Sequence, residues 1–137
     1  MMSALTDRLA LVTGASTGIG AGLAAMLAGE GARVVLAARR AEALEQVAEG
    51  IHAAGGVAVP MITDLADDAS LENLVARTRA ELGPIDILVN SAGYAVWKPL
   101  EATTQAERDH TFAVTSVPPP TCAQPPCPTC KRAASGG

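Results

Sequence analysis

Aromatic residues are nearly missing from this chain: one Trp, one Tyr and one Phe make up 2% of its 137 residues. Any core it builds must be aliphatic and packed in layers, which suits a buried parallel sheet. A basic excess is missing too. Ten Lys and Arg stand against fourteen Asp and Glu, for a formal net charge of −4, and a nucleic-acid binder would show a basic face or stripe. No stretch approaches the roughly 20 unbroken apolar residues of a membrane span, and Met1 to Arg8 lacks the charged start and apolar run of a secretory signal. The expected setting is therefore the cytoplasm, with neither membrane nor nucleic acid as partner. At 49% hydrophobic and 18% charged, the chain is too apolar for wholesale disorder, and its length suffices for one domain.

Cysteine is missing from the first 121 residues and proline is scarce before Pro118. Beyond that point the composition changes abruptly: Cys122, Cys127, Cys130 and six prolines fall between Pro118 and Cys130. The preceding residues are rich in Ala, Val, Leu and Gly, so the shift marks a boundary.

Short apolar runs alternate with stretches of helical period. Leu9 to Thr13 predicts a strand, and Gly18 to Gly29 a helix with Ile19, Leu23, Met26 and Leu27 at helical spacing. Arg33 to Ala38 is a second β-branched run. The helix after it, Ala41 to His52, carries Leu44, Val47, Ala48 and Ile51 on one face and is ended by Gly55 and Gly56. Val57 to Ile62 is a third strand, tolerating Pro60 only where its missing amide is not needed in the ladder. Asp67 or Asp68 can cap a helix running to Leu82 with Leu71, Leu74 and Val75 inward, stopped by Gly83 and Pro84. Ile85 to Asn90 is a fourth strand, and Thr103 or Thr104 can cap a fourth helix through Ala106, Phe112 and Ala113. This β-α alternation predicts right-handed crossovers and an α/β parallel sheet with helices on both faces.

Between the first strand and first helix stands TGASTGIG, Thr13 to Gly20, with glycine at 14, 18 and 20. A tight turn and a close backbone approach to a pyrophosphate leave no room for a Cβ, and the following helix offers unpaired amides to an anion. With Gly31-Ala32 before the second strand, Asp64-Leu65 after the third and Asn90-Ser91-Ala92-Gly93 after the fourth, this resembles the short-chain dehydrogenase/reductase family. The likeness covers Leu5 to about Val114; the family usually has Asn where Ser91 stands.

The resemblance implies a Rossmann-type doubly wound sheet. It would be incomplete, with about four strands and four helices, and in the order 3-2-1-4-5-6 these strands would stand 3-2-1-4 with the fourth at an open edge. Residues 1–114 would be the NAD(P)-binding half-domain and 115–137 an irregular tail. The implied cofactor contacts are Gly14, Ser16, Thr17, Gly18, Ile19, Gly20, Arg39, Asp64, Leu65, Asn90, Ala92 and Gly93. Asp64 would accept a hydrogen bond from the adenine amino group, its alternative being a helix-capping carboxylate. Asn90 would hold the backbone beside the glycine turn, either against cofactor or simply tying strands together. Where NAD-preferring relatives carry Asp at the end of the second strand, this chain has Ala38 followed by Arg39 and Arg40. A guanidinium can take a 2′-phosphate in a fork, so NADP is expected over NAD; the alternative is two arginines solvating a helix start. The full family acts on small alcohols or ketones, while substrate and oligomeric state stay open.

Hydride transfer to a carbonyl needs a proton donor near the forming oxyanion. The family uses a helical Tyr-x-x-x-Lys with a Ser on the preceding strand and an Asn on the fourth helix, and none of these is recognisable after Ala113. Tyr94 to Lys98 matches in letters alone. It follows directly on Gly93, and Pro99 pushes the residue before it out of the helical region. The expectation is a substrate-side loop on which Tyr94 and Trp97 either line a pocket or sit exposed, with no catalytic set in this chain. Thr115 stands at the place of the family's Asn, ahead of a Pro run that cannot continue a helix. The stretch from Thr115 to Cys130 reads either as a genuine disordered Pro-rich tail or as a family helix in a shifted frame, where one base restored before Thr115 turns ACN into AAC, which encodes Asn. His52 and His110 are expected as surface helix residues. The Cys127-x-x-Cys130 pair with Cys122 and a distant His110 falls short of the four ligands a structural zinc wants from compact turns, so no metal site is expected.

Overall fold

The structure, a computed structural model, describes residues 4–115. Four strands, β1 (Leu9–Thr13), β2 (Arg33–Ala38), β3 (Val57–Ile62) and β4 (Ile87–Asn90), form one parallel sheet in the order β3-β2-β1-β4. Helices α1 (Gly18–Gly29), α2 (Ala41–Ala53) and α3 (Asp68–Glu81) connect them, and α4 (Gln105–Thr115) follows a single 3₁₀ turn at Leu100–Ala102. This is the expected strand order. The Pro/Cys-rich stretch and the shifted-frame reading lie outside the described residues.

Successive side chains of a strand face opposite sides of the sheet, and the aliphatic composition thereby makes two cores. Ala10, Val12, Val34, Leu36 and Ala38 pack with Ala24 and Ala28 of α1 and Leu44, Ala48 and Ile51 of α2. Leu9, Leu11, Val35, Ala37 and Met61 pack with Leu71 and Leu74 of α3 on the other face. Neither cluster contains an aromatic residue, as the near absence of aromatics requires. Truncating Leu44, which is fully buried, should cost about 2–5 kcal/mol.

α1 departs from the face its spacing suggests. Gly20, Ala24 and Ala28 are its buried residues, while Ile19 and Met26 are 78% and 69% exposed. The surface beneath it is largely alanine and valine, so small side chains face the sheet, Leu27 packs partly buried at the margin, and Ile19 and Met26 turn outward. β4 begins at Ile87 rather than Ile85 because Asp86 is taken up in tying the strand starts together. Its Oδ2 accepts the Leu9 N–H at 2.9 Å and its Oδ1 meets Arg8 at 3.1 Å.

The two sheet edges differ. On β3, the odd residues face β2, and Thr63 continues that pairing by donating its N–H to the Ala38 carbonyl at 2.9 Å. Ala58 and Pro60 share the outward parity. His52 Nε2 lies 2.9 Å from the Ala58 carbonyl and 3.3 Å from its amide, serving one or the other according to tautomer. Pro60 has no amide to leave open. A histidine expected only as a surface residue thus blunts an edge strand. β4 has no such cover among the described residues, and its Ile87, Leu88 and Val89 are each only half-buried.

Candidate functional site

The ends of the four strands converge where the register aligns Thr13 with Ala37 on one side and Asn90 on the other. Over these carboxyl ends lies a cavity of about 380 Å³, the place where open α/β sheets take ligands. The turn after β1 contributes Gly14, Ser16, Thr17 and Ile19. The end of β2 contributes Ala38, Arg39 and Arg40, and the segment after β3 Thr63, Asp64 and Leu65. Ser91, Ala92 and Gly93 after β4 and Val114 of α4 close it. The structure therefore gathers most of the residues singled out in the sequence around one space. Gly18, Gly20 and Asn90 are outside its lining, whereas Arg40, Ser91, Thr63 and Val114 join it. Thr63 was within reach of sequence reasoning as the neighbour of Asp64; Val114 was not, since only the return of α4 brings it there.

The glycines divide into two kinds. Gly14 has φ +65°, and a Cβ on it would lie 2.6 Å from both Cα and N of Ala92. Gly20 has ordinary helical backbone, yet its Cβ would run into the carbonyl of Gly14. These two glycines let the turn fold onto itself and onto the segment after β4, and of the two Gly14 lines the cavity. Gly18, at φ +59° with open space around it, only permits the entry into α1.

The tie between β1 and the segment after β4 is made by Thr13. Its buried hydroxyl donates to the Val89 carbonyl at 3.4 Å and accepts the Ala92 N–H at 3.4 Å. The Asn90 side chain makes no hydrogen bond among the described residues, so of its two expected roles the strand tie belongs to Thr13.

Charge is arranged so that the cavity has uncommitted donors. α1 starts at Thr17 without a side-chain cap and has no acidic residue in its first turn. α3, by contrast, is capped by Asp67, whose Oδ2 accepts the Ser70 N–H at 3.0 Å. α4 has a reciprocal box in which Thr104 Oγ1 accepts the Glu107 N–H at 3.2 Å and Glu107 Oε2 accepts the Thr104 N–H at 2.8 Å. Arg39 and Arg40 are exposed, and neither forms an ion pair among the described residues. An uncapped helix start and two free guanidiniums in one concavity suit an anion of several charges.

Tyr94 and Lys98 each have other partners in this arrangement. Both lie on the irregular stretch after β4. Lys98 Nζ is 2.6 Å from Glu107 Oε1, and the Tyr94 ring meets His110 edge-on at 4.8 Å. The Tyr94 amide donates to Thr115 Oγ1 at 3.4 Å, so Thr115 anchors the loop from α4. Neither Tyr94 nor Trp97 lines the cavity, and Trp97 is 96% exposed. Among the described residues there is no cluster of three metal-ligating side chains, and no helix is long and apolar enough to cross a membrane.

The Lys98–Glu107 latch gives a pH prediction. The hydrogen bond from Lys98, then those from the Thr104 backbone and hydroxyl, hold the Glu107 carboxyl at about 2 instead of 4.5. A depressed carboxyl stabilises the fold above its ordinary value and stops doing so as pH falls through its own. The hold on α4 should thus fade between pH about 4.5 and about 2. Titrating the Glu107 carboxyl carbon by NMR should give a midpoint near the lower value, and Lys98→Met should raise it part of the way towards the ordinary one, the Thr104 hydrogen bonds still holding it down. An unchanged midpoint in that variant would show that the ion pair does not set it.

Comparison with known proteins agrees with the fold. A profile of the short chain dehydrogenase family matches residues 8–137. This chain belongs to the short chain dehydrogenase family. The match continues through Thr115, where the sequence suggests a boundary. Gluconate 5-dehydrogenase of Gluconobacter oxydans is 43% identical over 105 residues, which are 77% of this chain and 41% of that protein. A metagenomic short-chain oxidoreductase solved in complex with NADP superposes with a TM-score of 0.77 at 42% identity, over 80% of this chain and 50% of that one. A structure described as a putative short-chain alcohol dehydrogenase from Sinorhizobium meliloti gives a TM-score of 0.81 at 35% identity, over 90% and 49%. The chain spans about half the length of these solved relatives. Members of this family bind NAD(P), and the chain carries that family's cofactor-binding fold.

Proposed function

We propose that this chain is the cofactor-binding portion of an NADP(H)-dependent short chain dehydrogenase, a protein that interconverts a small alcohol and its ketone. The observation that carries the cofactor choice is the end of β2. Ala38 is there in place of an acidic residue, and Arg39 and Arg40 beside it line the cavity without a carboxylate partner. A carboxylate at this position would hold ribose hydroxyls and repel a 2′-phosphate; a guanidinium does the reverse. The similar metagenomic oxidoreductase, solved with NADP, lends further support.

The residues present fit the dinucleotide. Gly14 and Gly20 let the turn after β1 close tightly, where a Cβ on either would run into backbone, the uncapped start of α1 offers amides to a pyrophosphate, and Asp64 on the cavity wall is an acceptor for an adenine amino group. At about 380 Å³, the cavity is near the lower end of the roughly 300–1,000 Å³ of small-molecule sites. When bound, the nicotinamide supplies or accepts the hydride. Gly14, Ser16, Thr17, Gly18, Ile19 and Gly20 would hold the phosphates, Arg39 the 2′-phosphate, Asp64 and Leu65 the adenine, and Asn90, Ala92 and Gly93 the side towards the nicotinamide. Titration with NADPH and NADH tests the reading, which predicts the tighter affinity for NADPH; equal affinities would refute the cofactor preference.

A non-catalytic nucleotide binder is the second reading, favoured by the irregular backbone of Tyr94 to Lys98 and the engagement of Lys98 with Glu107. Both readings predict no turnover from these 137 residues assayed alone with NADPH and simple ketones. Cofactor-dependent turnover that Tyr94→Phe abolishes would overturn that expectation and place the chemistry on the loop.

A further inference from the structure

Asp64 is exposed and lies on a connection, and an exposed carboxylate can discriminate between bases only when its position is fixed. Three hydrogen bonds around it do this. Ser70 Oγ reaches back from the first turn of α3 and accepts the Asp64 N–H at 3.0 Å. Asp64 Oδ1 accepts the Ala66 N–H at 3.0 Å, which leaves Oδ2 without a partner among the described residues. Immediately before it, Thr63 donates its N–H to the Ala38 carbonyl at 2.9 Å, joining this segment to the end of β2 beside Arg39.

The Ser70 contact is not what helix capping asks for. In a capping box the side chain three residues into the helix returns to the backbone N–H of the N-cap residue. Here the N-cap is Asp67, and its N–H goes instead to the Asp64 carbonyl at 3.2 Å. Ser70 contributes its own N–H to the Asp67 cap but sends its hydroxyl oxygen past Asp67 to Asp64. The cap and the hold on Asp64 are thus separate bonds made by different atoms of one residue.

We propose that Ser70 is a positioning residue that holds Asp64 so that its free Oδ2 selects a 6-amino purine over a 6-oxo purine in the cofactor. The inference rests on Asp64 as the adenine acceptor. An adenine amino group donates to Oδ2, whereas the carbonyl oxygen of hypoxanthine would face the carboxylate acceptor to acceptor. Without the Ser70 acceptor the Asp64 backbone loses its anchor, and the selecting oxygen is no longer held in place.

The test titrates the full chain with NADPH and with its hypoxanthine analogue. The chain should prefer NADPH by about tenfold, the scale of one hydrogen bond to a charged acceptor. Ser70→Ala should bring the ratio close to one, with weaker NADPH binding accounting for the change and the analogue's affinity nearly constant. Ser70→Thr should restore the ratio. Asp67→Ala should lower the melting temperature and keep the ratio, which a merely structural Ser70 would not distinguish. Should Ser70→Ala fail to fold, Ser70→Cys offers the same comparison with a similar shape and a weak acceptor. Equal loss of both affinities, or an unchanged ratio, overturns the role of Ser70 and leaves the cofactor site standing. A native chain that binds neither dinucleotide overturns both.

Discussion

Arg39→Asp is expected to lower NADPH affinity about a hundredfold and to leave NADH the tighter ligand. The side chain lies at the end of β2, exposed at the cavity and unpaired among the described residues. A hydrogen bond to a charged group is worth about 1.5–3 kcal/mol, and each 1.4 kcal/mol is about tenfold in affinity. Losing the guanidinium therefore accounts for roughly one to two decades. The new carboxylate adds repulsion of the 2′-phosphate and, towards NADH, an acceptor for the ribose hydroxyl. Arg40 lines the same cavity, so it should retain part of the phosphate attraction, and Arg39→Asp with Arg40→Ala should go further than the single change. Fluorescence titration with both reduced cofactors reads all of this. Parallel weakening of NADPH and NADH would mean that Arg39 shapes the cavity without reading the phosphate. No change in either would mean that the two arginines merely solvate the start of α2.

Where local chemistry decides the backbone, the sequence was legible. β1, β2 and β3 run over Leu9–Thr13, Arg33–Ala38 and Val57–Ile62 as expected, since each is an apolar run closed by a glycine, an arginine or a threonine. Gly55 and Gly83 follow α2 and α3 with φ +84° and +108°, conformations that few other residues adopt. The glycine turn, the two arginines and Asp64 come together at one cavity because each stands just past the carboxyl end of a strand. What escaped the sequence is what distant segments do to each other. Thr13 ties Val89 and Ala92 across more than seventy residues, and nothing in its neighbourhood singles it out from Asn90, the residue the family pattern points to. Glu107 becomes a latch only through the approach of Lys98 from the loop after β4. The face of α1 was obscured because apolar spacing weighs large side chains, whereas this sheet surface takes alanine.

Gly14→Ala should be among the most damaging single substitutions in the chain, and its comparison with Gly18→Ala isolates the reason. Both glycines have left-handed backbone, φ +65° and +59°, so both substitutions incur the roughly 1–2 kcal/mol that an L-residue costs there. Around Gly18 nothing lies within 4 Å of the added Cβ, and the penalty should stop at that value. Around Gly14 the Cβ would stand 2.6 Å from Ala92 Cα and N and 2.9 Å from the Ser91 carbonyl carbon. These are backbone atoms at the end of β4, held in register by Thr13 opposite Asn90 and by the Thr13 hydroxyl, so no side-chain rotation relieves the clash. Relief requires moving the segment after β4 away from the turn, which opens the cavity wall and the last rung of the β1–β4 ladder. Overpacking of this kind adds about 1–3 kcal/mol, for a total of about 2–5 kcal/mol against the roughly 5–15 kcal/mol by which domains are stable. Urea unfolding should therefore rank Gly14→Ala well below Gly18→Ala, and NADPH binding should fail in the former even at temperatures where it remains folded. Equal midpoints for the two variants would show that the backbone approach between the turn and Ala92 carries no energy.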